Sequence, residues 1–264
     1  MTPFVTIVAV TLLAAITLVV VLALRLEQPW LQPWAILRAI VQLGILSLIL
    51  NGVISNRWLV AAFLTVMVGA ATWVIFRRLG VAPRYLPALA VTVIVASAVP
   101  LLIVFATGAV AFSPRFLLAL GGIVIGNTMT VCTLMGRSLG SLYLSQRDEM
   151  EAWLSLGATP RRSAVRAVRS AASTALIPST DQTRTTGIVT LPGAFVGAVF
   201  AGASPIQAAQ FQIVVLAAIL AAGALSAASF SGVFGAPEVL PLDARPLGGH
   251  RSQSPAGLSA SAEA

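Results

Sequence analysis

Long stretches without a single charged residue divide this chain, and they limit what it can fold into. They cover residues 1–24, 39–56, 58–76, 85–114, 116–136 and 185–237. A helix needs about 20 apolar residues to cross a hydrocarbon core about 30 Å thick. Inside lipid every backbone N–H and C=O must be satisfied within the protein, so such runs fold as helices. The last run is too long for one crossing and breaks at Gly202-Ala203-Ser204-Pro205, a turn signal. The expectation is an all-α, polytopic membrane protein with about seven transmembrane helices. The spans fall at roughly 4–24, 36–55, 58–76, 87–107, 116–138, 187–203 and 208–232. The sixth is short and contains Gly187, Pro192, Gly193 and Gly197.

Composition agrees. Only 9% of the 264 residues are charged, against about 25% in soluble domains. All 16 basic residues are arginine, and the net charge is +8. Arginines flanking apolar spans sit at lipid head groups, and no aromatic-basic interleaving points to nucleic acid. With the N-terminus outside, Arg25, Arg77, Arg78, Arg84 and the run from Arg147 to Arg184 all fall on the cytoplasmic side, leaving Arg57 and Arg115 outside. This positive-inside bias gives an N-out, C-in expectation. The first run lacks a basic start and is expected to stay as a span instead of being cleaved as a signal peptide. One cysteine, Cys132, excludes an internal disulfide. Residues 1–235 are expected to form the membrane domain. Residues 236–264, rich in Pro, Gly, Ser and Ala, are expected to be a disordered cytoplasmic tail in which His250 is solvated.

The exception to this apolar plan is the segment 141–184, expected to be a cytoplasmic loop between spans five and six. Ser145 followed by Asp148 suggests a helix N-cap, with a short helix to about Leu156. Gly157 suits the left-handed position after it. Thr159 then caps a second helix with Pro160 at its first position. That helix is expected to end at Pro178, with Arg162, Arg166 and Arg169 on one face and Val165, Val168, Ala172 and Leu176 on an apolar stripe. Asp148, Glu149 and Glu151 would be disfavoured beside anionic lipid, which suits a protein partner better. Elsewhere, Gly122-x-x-x-Gly126 and Gly193-x-x-x-Gly197 are expected to let helices approach closely.

Glu151-Ala152 with Leu156-Gly157-Ala158 resembles the coupling loop of ABC importer permeases; Trp153 replaces the second alanine of that pattern. A longer set of motifs is more specific. It comprises Gly126-Asn127-Thr128-Met129, Leu154-Ser155-Leu156-Gly157-Ala158-Thr159-Pro160, Ala175-Leu176-Ile177-Pro178 and Asp181. Gly187-Ile188-Val189-Thr190-Leu191-Pro192-Gly193, Ala201-Gly202-Ala203-Ser204-Pro205 and Gln210-Phe211-Gln212-Ile213-Val214 follow in order. Together with Arg38-Ala39-Ile40-Val41-Gln42-Leu43, these resemble the FetB family of ABC transporter permeases. Its bacterial members are linked to iron export and its plant relatives to aluminium tolerance. The likeness covers about residues 35–230. The family commonly has two methionines after Leu-Pro-Gly, where this chain has Ala194 and Phe195.

The resemblance implies a permease subunit in a bacterial cell membrane, paired as a homodimer and driven by two copies of a separate ATP-binding subunit. Glu149, Glu151, Ala152, Trp153, Leu156, Gly157, Ala158, Thr159 and Pro160 would form the ATPase-coupling surface. ATP and Mg²⁺ would bind the partner, with no cofactor on this chain and no enzymatic role for it. A phosphate-cradling P-loop needs a lysine, and this chain has none. Charged or polar groups within spans mark ion paths, so the pathway candidates are Arg38, Gln42, Asn127, Thr128, Met129, Cys132, Pro192 and Gly193. Met129, Cys132 and Met135, three apart, could hold a soft metal or serve as packing residues. Asp181 and Arg184 could pair at the membrane interface before span six, a structural role. The alternative is a stand-alone secondary carrier or channel. A proton-coupled carrier usually needs an acid or histidine within a span, and none is expected in these spans.

Overall fold

A computed structural model describes residues 3–25, 28–54 and 56–237; the tail expected over 238–264 lies outside the described residues. The described residues are predominantly helical, and no strand occurs among them. Its helices are α1 (Pro3–Ala23), α2 (Leu31–Ile54), α3 (Arg57–Leu79), α4 (Leu86–Ala106), α5 (Pro114–Ser145), α6 (Arg147–Ser155), α7 (Pro160–Ser163), α8 (Val165–Thr185), α9 (Gly193–Phe200) and α10 (Pro205–Phe234). The chain divides into two compact units, one up to Leu59 and one from Val60. In the first, α1 packs against α2. In the second, α10 is central and packs against α4, α5, α8 and α9.

Among the described residues, six helices are long and apolar enough to cross a membrane: those at Val5–Ala23, Leu31–Leu50, Arg57–Leu79, Pro83–Ala106, Pro114–Ser145 and Pro205–Phe234. They match the first five expected spans and the last. The span expected at 187–203 does not form. Gly187 (φ 85°) opens a turn, closed by Gly187 N–H donating to the Thr190 carbonyl at 2.9 Å. Pro192 then caps α9, whose 8 residues span only about 12 Å. Gly202 (φ 94°) ends α9 in the left-handed conformation.

Local chemistry sets the helix ends. Ser204 accepts from Gln207 N–H, and Gln207 reciprocates to the Ser204 backbone N–H, a capping box ahead of Pro205. Ser113 accepts from Phe116 N–H ahead of Pro114. Within the spans, Thr72, Thr92, Ser97, Thr133 and Ser226 each donate to the carbonyl four residues back. Their hydroxyls are thereby satisfied without water.

The core of the second unit joins Ile75 and Leu79 of α3, Leu89 and Val93 of α4, Cys132 and Met135 of α5, and Phe230 of α10. Three glycines make this packing possible. A Cβ on Gly136 would lie 2.6 Å from both Leu79 methyls and 3.1 Å from the Phe230 ring. One on Gly121 would lie 2.6 Å from a Leu64 methyl, and one on Gly223 would lie 3.0 Å from Leu176. The glycines expected at close contacts are different ones: Gly126, Gly193 and Gly197 have no neighbour within 4 Å, and Gly122 meets only Met67 at 3.5 Å. At one end of α10, Tyr143 donates to the Phe234 carbonyl at 2.6 Å, the Phe230 and Phe234 rings stack, and Tyr85 packs tilted against Phe234.

Gly136→Ala will lower stability by about 1–3 kcal/mol through overpacking. Gly126→Ala, in open space, will leave it unchanged or raise it slightly. Thermal unfolding in detergent, followed by Trp fluorescence, checks both.

Candidate functional site

Two features of the second unit bear chemistry: a polar junction halfway along α5, and the acidic corner built from α6 and α7.

At the junction, the Asn127 side-chain amide donates to the Ile219 carbonyl of α10 at 3.0 Å. Its carbonyl oxygen accepts from the Ser179 hydroxyl of α8 at 2.9 Å. One side chain therefore ties three helices together. Asn127 sits at the centre of the charge-free stretch between Arg115 and Arg137, which at 1.5 Å per residue is about 30 Å long. Ile219 is equally central in α10, Pro205–Phe234. The junction therefore lies about midway across the hydrocarbon thickness.

This changes the reading of α8. The sequence suggests that it ends at Pro178 on the cytoplasmic surface. Instead α8 continues through Pro178 to Thr185 and runs antiparallel beside α5. Pro178 removes one backbone hydrogen bond, but packing on both sides of it holds the helix. Ala167, Ala171, Ala175 and Ser179 form the buried row, with Val168, Ala172 and Leu176 partly buried beside it. Val165, expected on the apolar stripe, is exposed. Asp181 is two residues past Ser179, about 3 Å further along the axis, so it sits at membrane depth and not ahead of a later span. Asp181 and Arg184 do not pair. Among the described residues the side-chain ion pairs are Arg147–Glu151 at 2.7 Å and Arg166–Glu149 at 3.2 Å.

The other pathway candidates separate. Cys132 and Met135 are fully buried in the apolar core, with Met129 packed against it. Thr128 is fully buried and its hydroxyl has no hydrogen-bond partner. The Gln212 amide oxygen is likewise buried without a partner, a feature the sequence reading missed. Arg38 and Gln42 are exposed on α2 of the first unit. Pro192 and Gly193 open α9. Beside α9, Phe116, Ile123, Ala198, Gln207 and Phe211 line an apolar groove of about 510 Å³. Among the described residues, no three His, Cys, Asp or Glu side chains are arranged so that they could hold a metal ion.

The corner follows the expected caps with one exception. Ser145 is the last residue of α5, not the cap of α6; Gln146 takes that position, with no side-chain cap bond. At the other end Gly157 is left-handed (φ 84°), its N–H donates to Leu154 and the Ala158 N–H donates to Trp153. This paired arrangement closes α6 sharply. Thr159 accepts from Arg162 N–H, and Pro160 begins α7. Met150, 1% exposed, anchors α6 in the core shared with Tyr143, Ala164 and Ala167. On the outer side Leu156 is 82% exposed and Trp153 is 46% exposed. Asp148, Glu149, Glu151 and Ala152 are exposed beside them.

These features define a multi-pass helical membrane protein. The chain belongs to the uncharacterised protein family UPF0014, whose model matches residues 4–235. It is 33% identical over 196 residues to the UPF0014 membrane protein STAR2 of Oryza sativa subsp. japonica, covering 73% of this chain and 68% of that protein. It is 29% identical over 195 residues to the "Probable iron export permease protein FetB" of Escherichia coli (strain K12), covering 73% and 75%. It is also 29% identical over 196 residues to the protein ALUMINUM SENSITIVE 3 of Arabidopsis thaliana, covering 73% and 71%. No solved structure matches the chain.

A double-mutant cycle with Asn127→Ala and Ser179→Ala will give a coupling energy of about 1 kcal/mol, within the range of hydrogen bonds between membrane helices. Unfolding in detergent or bicelles measures it.

Proposed function

We propose that this chain is the membrane-spanning permease subunit of an ABC transporter that exports a metal cation. Two copies would form the path, and two copies of a separate ATP-binding subunit would drive it. ATP and Mg²⁺ would bind that partner. The chain would lie in a bacterial cell membrane, N-out and C-in, with α6 and α7 on the cytoplasmic side and with α8 and α9 together returning the chain across the bilayer ahead of α10.

The observation that carries this reading is the exposed tip of the α6–α7 corner. Leu156 and Trp153 project from a helix end fixed by Gly157 and anchored at Met150. Exposed apolar groups on a rigid, acidic corner suit a groove on a protein partner and not an anionic lipid surface. The corner also leads directly into α8: Ala164 ends α7 and precedes α8. A push on α6 would therefore reach the Asn127 junction through a short, stiff route. The name of the Escherichia coli relative supports iron as cargo.

The second reading is a stand-alone carrier. Asp181 at membrane depth favours it, because such a carrier needs an embedded acid. Transport by the purified chain in liposomes, without any nucleotide-hydrolysing subunit, would establish the carrier and overturn the ABC reading.

Leu156→Ala will weaken association with the ATP-binding subunit by about 2 kcal/mol, roughly 30-fold in Kd. Gly157→Ala will weaken it as well, because an alanine at φ 84° costs about 1–2 kcal/mol in the left-handed conformation. Co-purification with a candidate ATP-binding-cassette protein, followed by titration in detergent, measures both. Unchanged binding by Leu156→Ala would remove the corner from the interface.

A further inference from the structure

The apolar groove of about 510 Å³ runs between α9 and the first turns of α5 and α10. Small side chains open it. Ala119 of α5, Ala194 and Ala198 of α9, Ala203 of the following turn and Ala208 of α10 line its walls. The helices α5 and α10 run parallel, since Phe116 meets Phe211, Asn127 meets Ile219 and Gly136 meets Phe230. Both therefore begin at the same end of the groove, at Pro114 and Pro205. The polar side chains of its lining, Arg115 and Gln207, stand at that end. From there the α5 wall descends without a charge to Ile123, about 12 Å further along the helix. Arg115 is 12 residues from Asn127, about 18 Å along the axis. With Asn127 near midplane, Arg115 lies at the head-group boundary.

We propose that this groove binds one anionic phospholipid, with an acyl chain lying along the alanines and the phosphate on Arg115. Depth decides the chemistry of the occupant. The floor of the groove lies at hydrocarbon depth, where whatever fills it must be apolar. The mouth lies at the boundary, where Arg115 is exposed and, among the described residues, makes no ion pair. The starts of α5 and α10 add partial positive charge at the same place. An occupant that is apolar below and negative above is an anionic lipid. A second copy of the chain fits less well. Among the described residues the acids are Asp148, Glu149, Glu151 and Asp181. The first three follow the far end of α5, and Asp181 stops about 15 Å short of the level of Arg115. None lies at the depth of Arg115 in a copy inserted in the same sense. Binding here does not rest on the transport reading; the proposed N-out topology only assigns the site to the outer leaflet.

The test uses the full chain in nanodiscs of unlabelled phosphatidylcholine. These are doped with a trace of phosphatidylglycerol or of phosphatidylcholine, matched in acyl chains and carrying a photoreactive diazirine on one of them. Peptide mass spectrometry maps the adducts. The proposal predicts adducts at Ala119, Ile123, Ala194 and Ala198, about fivefold more from phosphatidylglycerol, the preference that one basic side chain supplies. Excess unlabelled phosphatidylglycerol will displace them. Leu102, on an exposed apolar face of α4, will be labelled equally by both lipids. Arg115→Gln will remove the preference in the groove, and Arg115→Lys will keep most of it. Ala198→Leu, which narrows the groove and leaves Arg115 in place, will remove the adducts at 119 and 123. Equal labelling of the groove by the two lipids, a preference indifferent to Arg115→Gln, adducts unaffected by Ala198→Leu, or crosslinks to a second copy in place of lipid would each overturn the proposal.

Discussion

The second unit depends on one amide. Asn127, near the middle of α5, donates to a carbonyl at the middle of α10 and accepts from a hydroxyl of α8. In water such bonds contribute little, because solvent competes for the same groups. In lipid the competing solvent is absent, and an unpaired amide would be costly. The junction therefore does more than add a small increment of stability. It specifies which polar residue of α8 meets α5, and so sets the depth and rotation of everything else on α8. The alanine row at 167, 171 and 175 supplies the close approach that makes the bond reachable.

The corner beyond the membrane uses a different economy. Met150 is the one side chain of α6 driven fully into the core, while Gly157, Thr159 and Pro160 fix the turn through backbone geometry. Leu156 and Trp153 are thus held outward by a frame that does not depend on them. That separation of anchor from contact surface is what a docking element requires, because a partner can bind or leave without the corner losing its shape. The route from corner to junction is continuous, from α6 through the turn and α7 into α8.

Much of this could be read from the sequence. Five spans and the last one were legible because each is a long apolar run bounded by arginines, by the start of the sequence or by the Gly202–Pro205 turn signal. The corner was legible because capping is local chemistry: a glycine, then Thr159-Pro160, has few other readings. α8 was not legible as a membrane-embedded helix. Hydropathy reports what faces lipid, and α8 buries alanines against α5 while presenting Ser173, Thr174 and Asp181 elsewhere. Pro178 also looks like a stop when the packing that carries a helix through it is unseen. The apolar run after it therefore reads as a sixth span, although Gly187, Pro192 and Gly202 divide it into turns and a short helix. Asn127 stood out as a polar residue in a span, but its partners lie 52 and 92 residues away and no local pattern names them. The same limit misassigned the glycines. Spacing singled out Gly122 and Gly126, whereas the contacts that exclude a Cβ belong to Gly121, Gly136 and Gly223.

The central claim is mechanical: movement of α6 is delivered to α8 at membrane depth. Spin labels at position 173 in both copies of the assembled transporter report it directly, as the distance between them with and without ATP. The account predicts two distance distributions, interconverted by nucleotide and merged into one when Leu156→Ala uncouples the corner. A single distribution, unmoved by ATP in a complex that hydrolyses it, would contradict the account.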